Sequence, residues 1–329
     1  MSPRRLIRRL RELLRPLDGL LLPPLAAALT VAARVSARRA GLVVVFHRVG
    51  DPAGDPATEL LPALSTKLFR RHLRLLRLVY RIVPLAELRE AAAARRRGQR
   101  FPVAVTFDDD ARWHLEVSTP ILLEEGVPAT FFLSGASLEG PYTFWYERIQ
   151  AAFEAGLLEP LPEPLAAKLP PGAGLHEVSL GAESLDAAGR DALAAALGER
   201  LGPDAADSGF RADGVRALAA QGFEIGFHTK RHDVLPGLDD AELAAAFTDG
   251  RADIEALSGA PVRALAYPCG KHDERVRRAA AASGLELALT TDSEAVEPDT
   301  DPMMLGRLYP SDDFVSRFAM VAALTLLRR

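Results

Sequence analysis

The chain has 329 residues and a formal net charge of −4 at pH 7. This balance argues against a nucleic-acid-binding protein, because such proteins usually present a net basic surface to phosphate. The chain contains one cysteine, Cys269, so neither an intramolecular disulfide nor a thiolate metal cluster can form within it. Any bound metal ion must therefore be held by histidines and carboxylates.

Residues 1–40 differ in composition from the rest of the chain. Four leucines fall on one face of a predicted helix, with arginines over the other faces: Leu6, Leu10, Leu13 and Leu14. An uncharged stretch at 19–33 follows, shorter than the roughly 20 apolar residues that a spanning helix needs. We interpret 1–40 as a basic amphipathic and apolar segment that makes peripheral contact with an anionic membrane surface. A signal peptide for export and a helix packed on its own domain are the alternatives.

From residue 41 onward, short apolar runs alternate with helical patterns, which is typical of βα units around a parallel sheet. The predicted strands lie at residues 42–47, 103–109, 129–135, 224–229, 264–268 and 285–291. This rhythm predicts an α/β fold, a (β/α) barrel over 41–313 that is distorted or incompletely closed. Pro-, Gly- and Ala-rich sequence with helical patterns predicts a helical insertion at about 140–207, and 314–329 is predicted to form a C-terminal helix.

Three adjacent carboxylates, Asp108, Asp109 and Asp110, end the second predicted strand in the motif TFDDD. Adjacent carboxylates repel one another unless a cation compensates their charge. A single aspartate at this position would be interpreted as a helix N-cap. Three in succession favour a metal site instead.

The motif HTKRH follows a later strand and contains His228 and His232. Their i, i+4 spacing would place both rings on one face of a helical turn, close enough to share an ion. Two imidazoles and one carboxylate, with positions left open, form the ligand set of a catalytic zinc site. Zinc is therefore the first candidate for a divalent cofactor, although the same ligands also bind other divalent ions.

TFDDD, HTKRH and the later AYPCG occur in the order and context found in polysaccharide deacetylases, the carbohydrate esterases that include chitin deacetylases. The segment GVPATFFLSG, at 126–135, also resembles the strand that follows the first motif in many members. The resemblance covers about residues 42–310. It implies that Asp108 is the catalytic base and that Asp109 binds a metal ion beside His228 and His232.

The chain departs from the family pattern at several positions. Asp110 stands where the family normally has glycine, and its role is not apparent from the sequence. Cys269 replaces the usual tyrosine, but the family uses the backbone N–H there as an oxyanion donor, which any residue except proline supplies. The arginine that often precedes the third motif is Ala266 here. By its position in the pattern, Arg307 is predicted to orient Asp108 instead.

The late Leu-x-His motif, which supplies the general acid in many members, has no counterpart in this chain. His47 lies instead at the end of the first predicted strand, in VVVFHRVG, which resembles the YHRV-type opening of the exopolysaccharide deacetylase branch. That resemblance implies that His47 is the acid, since a barrel brings residues from different strand ends to one mouth. The alternative is a hydrogen-bonded core histidine.

The predicted function is metal-dependent hydrolysis of N-acetyl groups from the amino sugars of a polysaccharide or a lipid-linked glycan. One alternative is a glycan-binding protein of the same fold without activity. A second is a metal hydrolase of another bond, such as an O-acetyl ester or a phosphoester, for which Lys230 and Arg231 offer cationic groups. The protein is expected in the cytoplasm or at the periphery of the inner membrane, with export as the alternative.

Overall fold

The computed structural model describes residues 21–205, 208–310 and 313–328. The leucine pattern at residues 6–14 lies outside these ranges. The strands are β1 (Leu42–Phe46), β2 (Arg81–Ile82), β3 (Pro102–Asp108), β4 (Thr130–Leu133), β5 (Glu224–Phe227), β6 (Ala264–Ala266) and β7 (Leu287–Leu289). The helices are α1 (described over 21–35), α2 (Thr66–Val79), α3 (Leu88–Ala94), α4 (Thr119–Glu125), α5 (Trp145–Glu154), α6 (Leu175–Glu183), α7 (Ala187–Leu201), α8 (Ala212–Ala220), α9 (Asp240–Thr248), α10 (Arg251–Ser258), α11 (Glu274–Ala282) and α12 (Val315–Leu327).

The seven strands form one parallel sheet in the order β1-β3-β4-β5-β6-β7, with the short β2 paired to the start of β3. In the described part of the chain, the sheet continues between β7 and β1 through single parallel bridges, Leu289 to Leu305 and Val44 to Leu308. The sheet therefore curls into a distorted, incompletely closed (β/α) barrel, which confirms the predicted fold class. Every residue of β1 and β3 is buried, as expected for strands of a parallel sheet covered on both faces.

The register of the central strands sets the position of the chemical motifs. Asp108 pairs with Phe132 across β3 and β4, and Leu133 pairs with Phe227 across β4 and β5. The residues that follow each strand consequently emerge at the same edge of the sheet. The carboxylates after β3 and the histidines after β5 meet at the mouth of the barrel.

Three helices lie within the predicted insertion, α5, α6 and α7. They share a hydrophobic cluster of their own, which includes Ile149, Leu165, Val178 and Leu193. Leu60, Leu61 and Cys269 pack against this cluster. The insertion therefore has its own small core and rests on the mouth of the barrel. Residues 206 and 207, at the end of the predicted range, lie outside the described residues, and the domain boundaries stay predictions.

At the other end of the chain, α12 packs its buried residues Phe318, Ala322 and Leu326 into the main core. Ala33 of α1 belongs to the same core. None of the described helices combines the length and the hydropathy needed to cross a bilayer. Signal peptide and membrane anchor remain alternative predictions for the N-terminal segment.

Candidate active site

The backbone is strained where the predicted site residues lie. Within the described residues, the non-glycine residues with positive φ are Asp109 (75°), Thr229 (56°), His232 (52°) and Cys269 (53°). Such conformations cost about 1–3 kcal/mol each and persist where the surrounding structure enforces them, often at functional sites. Three of these four residues were selected from the sequence as site residues. The fold therefore holds them in unfavourable conformations that aim their side chains into the mouth.

Asp109, His228 and His232 converge on one point. One ligand atom from each lies within 4.8 Å of the others, and Asp109 Oδ1 lies 3.7 Å from Nε2 of each histidine. These separations are too long for hydrogen bonds, so Asp109 Oδ1 is buried without a hydrogen-bond partner among the described residues. An ion bound at about 2.0–2.2 Å from each atom would satisfy all three. The residues present therefore fit a divalent cation.

Hydrogen bonding and charge prepare this cluster for a cation. His228 donates its Nδ1–H to the Ala266 carbonyl over 2.8 Å, which directs the Nε2 lone pair toward Asp109. Burial raises the pKa of the Asp109 carboxyl well above its usual value, and the neighbouring carboxylates of Asp108 and Glu147 raise it further. A buried carboxylate among other negative charges gains much from a nearby cation.

Asp108 ends β3 and forms a buried ion pair with Arg307. Arg307 donates from Nη1 to Asp108 Oδ1 over 2.7 Å and from Nε to the Thr290 carbonyl over 2.8 Å. Burial alone would raise the pKa of the Asp108 carboxyl, but the Arg307 guanidinium outweighs that effect and holds the pKa below its usual value. Asp108 is therefore ionised at neutral pH. Arg307 lies where the sequence predicted a cation beside it.

His47 follows β1 and lies on the other side of Asp108. Its Nε2 is 3.8 Å from Asp108 Oδ2, and its ring stacks on Tyr309 with centroids 5.7 Å apart. Burial lowers the pKa of His47 to about 4, although Asp108 partly offsets the effect. The imidazole is therefore neutral at pH 7. It lines the same cavity as the metal cluster rather than the core.

Cys269 lies in the wall of this cavity, in a short 3₁₀ turn after β6. Burial raises the pKa of its thiol to about 12, so the side chain is neutral and unsuited to metal binding. The predicted contribution of Cys269 is its backbone N–H, and the structure places the residue within reach of the same cavity as Asp108 and His228.

Asp110 forms a clamp between β3 and β4, which accounts for the residue whose role the sequence left open. Its Oδ1 accepts the Ser134 N–H over 2.6 Å, and its Oδ2 accepts the Ser134 hydroxyl over 2.5 Å and the Gly135 N–H over 3.0 Å. The Ser137 hydroxyl donates to the same oxygen over 3.4 Å. Asp110 thus fixes the loop that leads from β4 to the insertion, and it is not part of the metal-ligand cluster.

Replacing Asp110 with alanine is expected to destabilise the fold by about 2–4 kcal/mol, because the buried N–H groups of Ser134 and Gly135 lose their acceptor. Urea unfolding measures this loss. Metal content should stay at the wild-type level after dialysis against trace zinc. A variant that unfolds like the wild type but binds less metal would assign Asp110 to the metal site instead.

The insertion supplies an aromatic wall that sequence reasoning missed. Tyr146 lies with its ring centroid 4.8 Å from that of His232, and Trp145 donates its Nε1–H to the His232 carbonyl over 3.3 Å. The Tyr146 hydroxyl is buried beside Asp109 without a hydrogen bond of standard geometry. The available signal was a run of three aromatic residues at 144–146, in a chain with 6% aromatic residues.

A cavity of about 460 Å³ connects these groups. It contains the three ligand side chains, the Asp108–Arg307 pair and His47, and it is bounded on the insertion side by residues of α5 and α6. Leu60 and Leu61, in the loop after β1, form part of its rim. The site is therefore a pocket between the barrel mouth and the insertion. Polar groups occupy its floor, and apolar and aromatic groups form much of its wall.

Comparisons with known proteins agree with this architecture. The family described as polysaccharide deacetylase matches residues 95–288. The Streptococcus pyogenes deacetylase PplD, solved in complex with acetate, has 14% identity and a TM-score of 0.59, over 87% of this chain and 98% of that one. IcaB from Ammonifex degensii has 18% identity and a TM-score of 0.55, over 85% and 97%. The deacetylase domain of BpsB from Bordetella bronchiseptica has 15% identity and a TM-score of 0.53, over 83% and 97%. No curated protein sequence matches the chain.

A barrel whose mouth holds two histidines and an aspartate beside a buried Asp–Arg pair has the form of a hydrolase site. The structural similarities, at these low identities, establish the fold. The family match covers more than half of the chain, and the chain belongs to the polysaccharide deacetylase family. It is accordingly a hydrolase of N-acetyl amide bonds in glycans, which confirms the predicted enzyme class.

Proposed function

We propose that the protein is a metal-dependent N-deacetylase of a polysaccharide or a lipid-linked glycan, with Asp108 as base and His47 as acid. The observation that supports this most directly is the buried, unpartnered Asp109 Oδ1, which faces Nε2 of His228 and His232 at 3.7 Å. An unsatisfied carboxylate oxygen between two imidazoles is costly without an ion.

Asp109, His228 and His232 would hold the cation, with zinc as the first candidate because its sites use nitrogen and oxygen ligands in such sets. When bound, a divalent cation supplies polarisation of the N-acetyl carbonyl and lowers the pKa of water at the site. The ligand set uses three positions and leaves room for substrate and water.

Asp108 would accept the proton of the attacking water. Arg307 occupies its Oδ1, whereas Oδ2 lies 3.8 Å from Nε2 of His47, too far for a hydrogen bond. Oδ2 is therefore the oxygen available to the water. Arg307 would act as a positioning residue, since it fixes the carboxylate plane and keeps the group ionised.

His47 would deliver a proton to the leaving amine. Because its imidazole is neutral at pH 7, the proton that it donates must be gained during the reaction. The nearby Asp108 Oδ2 provides that proton after the water has been deprotonated. One proton would thus pass from water to base to acid to amine. The Cys269 N–H is proposed to donate to the developing oxyanion, a type of donor whose loss costs about 3 kcal/mol.

Acetate release tests this function. The purified full-length chain should release acetate from N-acetylated amino-sugar oligomers, lose that activity to a chelator and regain it with zinc. Faster release from O-acetylated saccharides would make the protein an esterase. Glycan binding without acetate release under any metal condition would support the glycan-binding alternative and contradict the proposal.

Replacing His47 with alanine is expected to lower kcat by about 100- to 10,000-fold, the usual contribution of general acid catalysis. Metal content should not change, because His47 is not among the three ligands. His272→Ala is a matched control, since that histidine lies outside the ligand cluster and its ring contacts that of Tyr267 at a tilt. Loss of metal from the His47 variant would contradict its assignment as the acid.

A further inference from the structure

The first described helix, α1, turns an apolar face toward solvent. Leu21, Leu25, Ala28, Ala32 and Val35 are all exposed and follow one another at intervals of four, three, four and three residues. That spacing places them in one stripe along the helix. Surface helices normally show the opposite arrangement, with polar residues outward, so the stripe indicates a surface that another body covers.

Only the small side chains of α1 are fully buried. Ala26 and Ala33 face inward and are 3% and 2% exposed, whereas Leu25 and Val31 are 49% and 60% exposed. A helix docked by its apolar face would bury the large residues first, because the gain scales with apolar area. The packing of α1 on its own domain therefore leaves its larger apolar side chains uncovered.

Neighbouring helices extend this apolar surface. Val321 and Leu324 of α12 are 40% and 42% exposed, and Leu78 near the end of α2 is 71% exposed. The three helices lie together, since residues of α1, α12 and the end of α2 enclose one small cavity that includes Ala33 and Leu326. We call the exposed apolar residues of α1 and α12, together with Leu78, the apolar face.

A group of exposed arginines adjoins the α1 end of the apolar face. Arg97 donates from Nε to the Val35 carbonyl over 2.8 Å, and Arg34 donates from Nε to the Gly98 carbonyl over 2.9 Å, so the 95–100 loop lies against the helix. The basic collar consists of Arg34, Arg39, Arg96, Arg97 and Arg100, all exposed. Among the described residues, none of these five has a carboxylate partner, whereas the neighbouring Arg38 pairs with Glu297.

We propose that the apolar face and the basic collar dock the protein on an anionic lipid bilayer, with α1 lying in the plane of the interface. Exposed leucines and valines beside exposed arginines are the combination that such a surface binds, through apolar burial and attraction to acidic headgroups. The collar stands out because the whole chain has a net charge of −4. This inference does not depend on the proposed deacetylation.

The charges disfavour two other occupants. A second copy docked face to face would bring two positively charged collars into one contact, because a two-fold contact uses the same surface of both copies. Residues 1–20 contain six arginines and two acidic residues, so folding them over the apolar face would bring like charges together. The same composition would add to the attraction of the chain for an anionic bilayer.

Vesicle co-sedimentation of the full-length chain tests the proposal. The protein should pellet with vesicles of phosphatidylcholine mixed with phosphatidylglycerol, far less with phosphatidylcholine alone, and less as salt is raised. Leu25→Glu combined with Val31→Glu should weaken binding about 10-fold or more, since both substitutions put a negative charge on the apolar face. Leu123→Glu combined with Leu157→Glu is the matched control on other exposed residues and should bind like the wild type.

The collar is tested by Arg96→Gln combined with Arg97→Gln. Each arginine near an anionic surface is worth about 5-fold in binding, so the double variant should bind the anionic vesicles about 25-fold more weakly, with no change for phosphatidylcholine alone. Arg216→Gln combined with Arg278→Gln removes the same charge on α8 and α11 and should have a much smaller effect. Circular dichroism confirms that each variant is folded.

Three results would overturn the proposal. The first is wild-type protein that stays in the supernatant with anionic vesicles at low salt. The second is equal vesicle binding by wild type and the Leu25 and Val31 double variant. The third is a concentration-dependent dimer in analytical ultracentrifugation that the same two substitutions abolish, which would assign the apolar face to a second copy. The variants of the apolar face and of the basic collar should release acetate in solution like the wild type. A failure of vesicle binding is therefore distinguishable from a failure of the proposed function.

Discussion

Replacing Asp108 with asparagine is expected to lower kcat for acetate release by about 100- to 10,000-fold, the range that general base catalysis contributes. The amide keeps the shape of the carboxylate and can still accept from Arg307 through its oxygen. It cannot take a proton from water. Metal content should remain at the wild-type level, because Asp108 is not one of the three ligands.

The matched control for this variant is Asp240→Asn, since Asp240 lies on the surface with 91% of its side chain exposed. Its kcat should equal that of the wild type. A rise in KM without a fall in kcat would mean that Asp108 binds substrate rather than activating water. Wild-type turnover by the Asp108 variant would remove it from the mechanism altogether.

Replacing His228 with alanine is expected to abolish both metal binding and activity. The wild type should contain about one divalent ion per chain after exposure to zinc, and the variant close to none, because two ligands of the three form an incomplete site. Elemental analysis after dialysis measures the content. Asp109→Ala and His232→Ala should give the same result.

Thermal unfolding provides a readout of the same site that does not require turnover. Zinc at 100 times its dissociation constant should stabilise the wild type by about 2.7 kcal/mol, since only the folded state presents the converging ligands. The His228 variant should gain nothing from zinc. His272→Ala is the control and should respond like the wild type. Equal zinc stabilisation of wild type and His228 variant would place the ion elsewhere.

Strand content and the order of the motifs were predictable because they depend on local pattern. The apolar runs before Asp108 and His228 are continuous, as strands buried on both faces require. Parallel strands then bring the residues after each strand to one edge, and the resemblance to the family added the prediction that Asp109 binds a metal ion beside the two histidines. Arg307 beside Asp108 was predicted from its position in the family pattern rather than from any local signal.

The contributions of Tyr146 and Asp110 were not predictable in the same way. Tyr146 reaches the metal cluster only because the insertion folds back over the mouth, an arrangement that depends on long-range packing. Asp110 is adjacent to two site residues in sequence, yet its hydrogen bonds run to Ser134 and Gly135, in the loop that follows β4. Three successive aspartates thus have three different environments. Their partners lie on different parts of the fold: Arg307 for Asp108, the histidines after β5 for Asp109, and the loop after β4 for Asp110.

The seam between β7 and β1 has a consequence for how the enzyme would lose activity. Arg307 lies in the short segment that closes the barrel, where single bridges at Leu305 and Leu308 replace a full strand. Local opening requires least free energy where backbone hydrogen bonds are fewest. Opening of this seam would withdraw the guanidinium from Asp108 while the proposed metal ligands, which follow the central strands, stay in place. The protein would then keep its proposed cation site, but the proposed base would no longer be oriented for catalysis.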